Sequence, residues 1–323
     1  MNTTEDSRYV FGPVPSRRLG LSLGIKNVPA KRCSYSCIYC QAGATRNMSV
    51  TRQSSYDLPI LLRQVETSLE QAHKSSTIID YISIVPDGEP TLDLNLANLL
   101  SQLKQFKIPL AIITNSSLIN KPSVRAALCL ADWVSVKVDS VTEGLWHSID
   151  RPHGHLKLEN LKIGLAQFAQ EYSGQLVTET MVVKNYNDNE SELRAIGKFL
   201  KQIIPSLSYL SIPIRPPVEK SVHPPKENVL LRCLSWMLEE MGSVPVELLN
   251  THEDDAFATP IDDLEANIVA MTAVHPIRKE ALISLLHNRG LTMDDIAHLF
   301  KSGTLIKKSY GAHMFIVNIA ANR

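Results

Sequence analysis

Between residues 77 and 216 the chain alternates short apolar runs with stretches of helical period. No other feature limits its fold as strongly. The runs "TIIDYISIV" (77–85), "IPLAIIT" (108–114), "DWVSVKV" (132–138), "QLVTETMVV" (175–183) and "YLSIPI" (209–214) are rich in Val and Ile, as strands buried on both faces are. Between them, "LNLANLLSQLKQF", "KPSVRAALCLA", "LENLKIGLAQFAQEY" and "ESELRAIGKFLKQII" repeat apolar residues at three and four spacing, the mark of amphipathic helices. With "GLSLGIK" (20–26) as a first strand, six strand–helix units are expected. Such alternation implies parallel strands joined by right-handed crossovers. An open doubly wound sheet and a full or partial β/α barrel both satisfy it. In either, functional residues gather at the carboxyl ends of the strands.

The proline-dense "PIRPPVEKSVHPPKEN" (213–228) is expected to end this unit, giving a core over 1–220. Residues 221–261 are read as a helix near 228–241, a short strand at 245–250 and the acidic linker "THEDDAFATPIDD". From 262 to 323 come three helical segments, "LEANIVAMTAV", "HPIRKEALISLLHNRG" and "TMDDIAHLFKSG". A hairpin turning at Tyr310-Gly311 follows, the pattern of a winged-helix module. This tail holds seven Lys/Arg against six Asp/Glu, with Lys307 and Lys308 its local basic cluster. Nucleic-acid readers are usually basic on one face, so a packing or protein-contact role is favoured.

Across 323 residues, 33 Lys/Arg balance 33 Asp/Glu, so the whole chain is not built as a polyanion binder. The balance hides an asymmetry: residues 1–52 carry eight Lys/Arg against two Asp/Glu. The start "MNTTEDSRYV" lacks the charged-then-apolar form of a secretory signal, and no apolar run approaches the roughly 18 residues of a membrane span. A cytoplasmic location without membrane attachment is expected, where clustered thiols signal metal or redox chemistry more than disulfides.

The basic segment contains "AKRCSYSCIYCQAG", which gathers Cys33, Cys37 and Cys40 in one loop (29–46), far from Cys129 and Cys233. A [4Fe–4S] cube has four iron corners, and electron-transfer proteins cap them all with cysteine. Three thiolates would leave one iron open, much as catalytic zinc keeps a position for substrate. Zinc would need a remote fourth ligand, because no His lies between Arg32 and Thr51. Three unligated thiols in a polar, basic stretch would be hard to ascribe to packing. Cys129 and Cys233, in apolar helical patterns, are read as core.

"CSYSCIYC" resembles the C-x3-C-x-aromatic-C signature of radical S-adenosylmethionine (SAM) enzymes, with Tyr39 in the aromatic slot. The resemblance implies a partial (β/α)6 barrel carrying the winged-helix-like α+β module. It also implies one [4Fe–4S] cluster on Cys33, Cys37 and Cys40, with SAM as cosubstrate on the open iron. The reduced cluster would then release a 5′-deoxyadenosyl radical that takes a substrate hydrogen. "VPDGEPTL" places Gly88, Glu89 and Pro90 where the family's Gly-Glu-Pro element meets the methionine amino group. Thr114 and Asn115 match its Thr-Asn-Gly turn, with Ser116 in place of glycine. Lys137 and Asp139 end the fourth strand and are read as cosubstrate or substrate contacts, or as a structural ion pair. Glu179, with Asn187-Asp188 beyond it, resembles a loop near the ribose. Ile212 and Pro213 fall where the family stacks the adenine.

A narrower resemblance joins "FGPVPSRRLGLSLGIKNVPAKRCSYSCIYCQAG" and "GEPTL" to bacterial and archaeal radical SAM proteins related to the tRNA-modifying wyosine synthases. It implies RNA as substrate by analogy and a flavodoxin- or ferredoxin-like electron donor. Wyosine synthases carry a second cluster on cysteines nearer the amino terminus; none precedes Cys33 here, so one cluster is expected. Arg17, Arg18, Lys31, Arg32 and Arg46 would hold phosphates or offset the charge of the cluster. His153 and His155 are read as a solvated loop more than as acid and base. The competing functions are an electron-transfer or redox-sensing Fe–S protein and a zinc-stabilised nucleic-acid-binding module.

Overall fold

The computed structural model describes residues 8–249 and 264–318. The acidic linker and the 261–262 boundary expected from sequence lie outside the described residues. The chain opens with β1 (Val10–Ser16) and β2 (Gly20–Ile25) and then a two-residue pair, β3 (Arg32–Cys33) with β4 (Asn47–Met48). Helix α1 (Leu58–Lys74) follows, then β5 (Tyr81–Ile84), α2 (Leu96–Leu103), β6 (Leu110–Thr114), α3 (Pro122–Leu128) and β7 (Trp133–Lys137). Next come α4 (Glu143–Ile149), α5 (Leu158–Glu171), β8 (Gln175–Met181), α6 (Glu190–Ile203), β9 (Leu207–Ser211), α7 (Glu227–Met241) and β10 (Val246–Leu249).

Eight of these strands form one sheet in the order β1-β2-β5-β6-β7-β8-β9-β10, and β3 and β4 pair separately. Spatial order follows chain order, and every pair from β2 to β10 is parallel. A doubly wound sheet reverses its order at a switch point, so this is the barrel-type alternative. The barrel is partial: β1 and β10 are opposite ends of the sheet, and Arg17 Nη1 reaches across to the Leu249 carbonyl at 3.0 Å.

Strand alternation splits the core in two. Leu110, Ile112, Val134, Val136, Leu176 and Leu210 face the helices, in the large cluster completed by Leu96, Leu99, Leu161 and Leu200. Leu19, Ala111, Trp133 and Val177 turn inward instead, packed with Tyr81, Ile113, Leu207 and Tyr209. Arg18 enters this inner layer from the β1–β2 turn, its guanidinium 5.9 Å from the Trp133 ring and 6.0 Å from that of Tyr209.

The six predicted units are present, and β10 extends the parallel run as the strand expected at 245–250. Strand β1 and helices α1 and α4 add to the elements that the sequence pattern predicts. Prolines at 13 and 15 break the period of β1, which is tolerated because β1 is an edge strand that pairs antiparallel to β2. The "SIPI" strand stops at Ser211, so Ile212 and Pro213 lie on the loop after it.

The carboxyl-terminal module consists of α8 (Leu264–Val274), β11 (Ile277–Arg278), α9 (Lys279–His287), α10 (Ala297–Lys301), β12 (Leu305–Tyr310) and β13 (His313–Asn318). Its antiparallel sheet has the order β11-β13-β12. The helix expected from His275 begins only at Lys279, because Ile277 and Arg278 pair with Ile316 and Phe315 as a strand. The module shares a core with the barrel: Phe11, Val14 and Val85 join Ile268, Met271, Leu282 and Ile316. The buried Asn267 accepts a hydrogen bond from the Gly12 N–H at 3.0 Å. Among the described residues no helix is long and apolar enough to cross a membrane.

Candidate functional site

The cysteine loop leaves β3 and returns through β4, with the Arg46 and Asn47 N–H groups on the Lys31 carbonyl and that of Ser49 on the Cys33 carbonyl. Backbone bonds tie it to three other segments. Ile38 N–H donates to Ile149, Val218 N–H to Cys40, and Glu89 N–H to Arg32. A Cβ on Gly88 would overlap the Arg32 carbonyl, so the residue before Glu89 must be small for the two loops to lie this close.

Cys33, Cys37 and Cys40 all open on one cavity of about 310 Å³ at the carboxyl ends of the strands. Tyr39, Gly88, Lys137, Glu179, Ile212 and Pro213 also line it, as do Arg18, Lys31, Asp87, Met181 and Arg215. Burial pushes the Cys33 thiol up to about 12, and it raises Cys37 and Cys40 as well. Cys37 donates to Asp150 at 3.3 Å, and the Asn115 amide approaches Cys33 Sγ at 3.5 Å.

Glu89 does not line the cavity. Its carboxylate, 1% exposed, accepts from Thr91 N (3.0 Å), Thr91 Oγ1 (2.5 Å), Thr114 Oγ1 (2.6 Å) and Asn115 N (2.8 Å). It thereby caps the 3₁₀ turn Pro90–Leu92 and fastens the end of β6 to it. Burial raises its pKa, with these four bonds opposing the shift. Pro90, Thr114 and Asn115 belong to the same fastening and stand behind the cavity wall.

Lys137 and Glu179 are cross-strand neighbours on β7 and β8. Lys137 Nζ lies 3.4 Å from Glu179 and 3.6 Å from Asp139. Arg18 forms an ion pair with the other Glu179 oxygen, and Ser211 donates to Glu179 at 2.9 Å. Burial alone would raise Glu179, but the Lys137, Arg18 and Arg17 cations outweigh it and hold the carboxyl far below the carboxylate range. Burial also works against the Lys137 cation, yet Asp139 and Glu179 together raise its pKa. Asp139, 2% exposed, accepts from the Met181 N–H and the Tyr39 hydroxyl and stands behind the wall. Asn187 bonds the Asp139 carbonyl and braces the turn after β8.

Arg18 and Arg215 emerge as site residues that sequence period could not single out; only the pairing of "SRRLG" drew notice to the first. Arg215 joins the residue after Cys40 to the module, with Nη1 2.9 Å from Gln41 Oε1 and Nη2 2.7 Å from His275 Nε2. His153 and His155 pack edge-to-face on each other away from the cavity.

The buried Lys31 ammonium shows what kind of group fits here. It pairs with Asp87 at 3.6 Å, beyond hydrogen-bond reach, and neither Nζ nor Asp87 Oδ1 has a hydrogen-bond partner. Burial lowers the pKa of Lys31, opposed by Asp87 and then by Cys40 nearby. An anionic group carried on the three thiols would answer this orphaned cation. Among the described residues no three Cys, His, Asp or Glu side chains are arranged to hold a single metal ion.

The sequence profile of the Radical SAM superfamily matches residues 27–195. A UPF0026 protein of Methanocaldococcus jannaschii is 41% identical over 97% of both chains. One from Helicobacter pylori is 34% identical, covering 82% of this chain and 84% of its own. A radical SAM methyltransferase from Sphaerobacter thermophilus superposes with a TM-score of 0.54 at 13% identity, over 74% of this chain and 69% of its own. Streptococcus suis SuiB bound to S-adenosylmethionine gives 0.50 at 15% identity, over 69% of this chain and 49% of its own.

Proposed function

The chain belongs to the radical SAM superfamily, whose cofactors are a [4Fe–4S] cluster and SAM, and on that premise we propose that Cys33, Cys37 and Cys40 hold one such cluster and that the chain reductively cleaves SAM. The observation that carries this reading is the convergence of three half-buried thiols and an orphaned Lys31 ammonium on one cavity at the strand ends. When bound, cluster and SAM supply the electron and the 5′-deoxyadenosyl radical that takes a hydrogen atom from substrate.

The rest is the work of the chain's own residues. Lys31 sits where it offsets the negative charge of the ligated thiolates. Gly88 lets its turn approach the cysteine loop. Glu89 fixes that turn to Thr114 and Asn115, and we assign it this holding role rather than direct contact with the methionine end. Tyr39, Lys137, Glu179, Met181, Ile212 and Pro213 wall the space for the cosubstrate. Asp139 fixes Tyr39 and, through Met181 N–H, the end of β8. Enclosure by these groups keeps water from the reacting centre. A flavodoxin- or ferredoxin-like donor and a cytoplasmic location belong to the same reading, since the cluster needs electrons and reduced thiols.

A purely electron-transferring cluster is disfavoured by the cavity beside the thiols. Anaerobic reconstitution followed by electron paramagnetic resonance (EPR) with and without SAM tests the proposal. Iron and sulfide should load, SAM should change the reduced cluster's spectrum, and dithionite should yield 5′-deoxyadenosine. Cys37→Ala should abolish all three. A spectrum indifferent to SAM sinks the reading.

A further inference from the structure

The sequence favours a packing or protein-contact role for the tail, and its contacts turn it inward. Val274 and His275, where α8 ends, line the same cavity as the three cysteines. His275 is bonded to Arg215, and Arg215 to Gln41, so a hydrogen-bonded chain runs from the module to the cysteine loop. On β12, the Tyr310 hydroxyl donates to the Pro213 carbonyl at 3.1 Å and Lys308 Nζ to that of Pro217 at 3.2 Å. Lys307 lies 5.5 Å from the Phe300 ring. Of the tail's basic cluster, Lys308 is thus engaged with the barrel, and Lys307 stays exposed. With Phe11 and Asn267 at the shared core, the module is seated on the barrel at several separate points.

We infer that the carboxyl-terminal module is a wall of the reaction cavity and that Val274 and His275, one apolar and one polar, are contacts for what the cavity takes in. This rests on the radical SAM reading and adds to it a part of the chain remote in sequence from the cysteines. The several points at which the module is seated on the barrel hold these two residues at the rim of the site.

Position 274 gives the test. In reconstituted Val274→Cys protein, alkylation of that position by N-ethylmaleimide is followed by mass spectrometry of its peptide, with Ser302→Cys, at an exposed position that does not line the cavity, as control. Occupancy of the cavity by SAM should slow alkylation at 274 at least fivefold and leave the control within twofold. Equal rates at 274 with and without SAM overturn the wall. The radical SAM reading fails separately, if SAM leaves the EPR spectrum of the unsubstituted cluster unchanged.

Discussion

The Lys137 ammonium lies 4.8 Å from the centroid of the Tyr39 ring, and the Tyr39 hydroxyl donates to Asp139, itself 3.6 Å from the same ammonium. One lysine thus touches both faces of the problem: the aromatic residue inside the cysteine motif and the carboxylate that holds it. Cation–π contact and ion pairing act together on a side chain that is nearly enclosed.

Lys137→Met leaves Asp139 and Glu179 without their shared cation. Breaking a buried pair from one side costs about 3–5 kcal/mol, and Arg18 still partners Glu179, so the low end of that range is expected. Urea unfolding of the apoprotein measures it. A loss below about 1 kcal/mol would mean that water replaces the lysine.

Glu179 sets the acid side of the stability profile. Its folded pKa is depressed, so the native state binds fewer protons than the unfolded chain between the folded value and about 4.3, the ordinary glutamate value. That stability is fully present above the ordinary value and is lost as pH falls through the folded one. Glu89 runs the other way: its folded pKa is raised, so its contribution is present below the ordinary value and is lost as pH rises through the folded one. Glu179→Gln should therefore flatten the fall in urea midpoint from pH 5 toward pH 3. An unchanged slope would assign acid sensitivity to other carboxylates.

Glu89→Gln replaces an acceptor of four hydrogen bonds by a group that must donate from one side. Hydrogen bonds to charged groups contribute about 1.5–3 kcal/mol, and a loss of about 2–3 kcal/mol is expected in the apoprotein. Iron retained after reconstitution should fall with it, because the turn carrying Gly88 is no longer fixed. Full iron content with lowered stability would confine Glu89 to folding.

Gly88→Ala pushes a methyl group into the Arg32 carbonyl, a backbone atom that cannot rotate away. Overpacking of this kind costs about 1–3 kcal/mol, and the displacement falls on the residue before Cys33. Iron and sulfide content after reconstitution should drop more than the urea midpoint. A normally loaded cluster would show that the two loops separate without consequence.

Much of this was legible in local pattern. The Val- and Ile-rich runs give the parallel strands, since their residues are buried on both faces, and three cysteines within one loop announce a shared ligand. What pattern cannot reach is pairing over long separations. Arg18 meets Glu179 across 161 residues and Arg215 meets His275 across 60, and neither partner carries a mark of the other. Whether a carboxylate near a strand end faces the cavity or fastens the loop behind it depends on whether it is still in the strand. Glu179 lies inside β8 and stands in the wall, while Asp139 and Glu89 sit on the loops past the ends of β7 and β5, where the two-residue period no longer aims the side chain.

Arg18 lies beside the Trp133 and Tyr209 rings of the inner layer and also lines the cavity, where Glu179 answers it from β8. One guanidinium therefore belongs both to the packing of the barrel and to the chamber above it. A change at this single position would be felt in both at once.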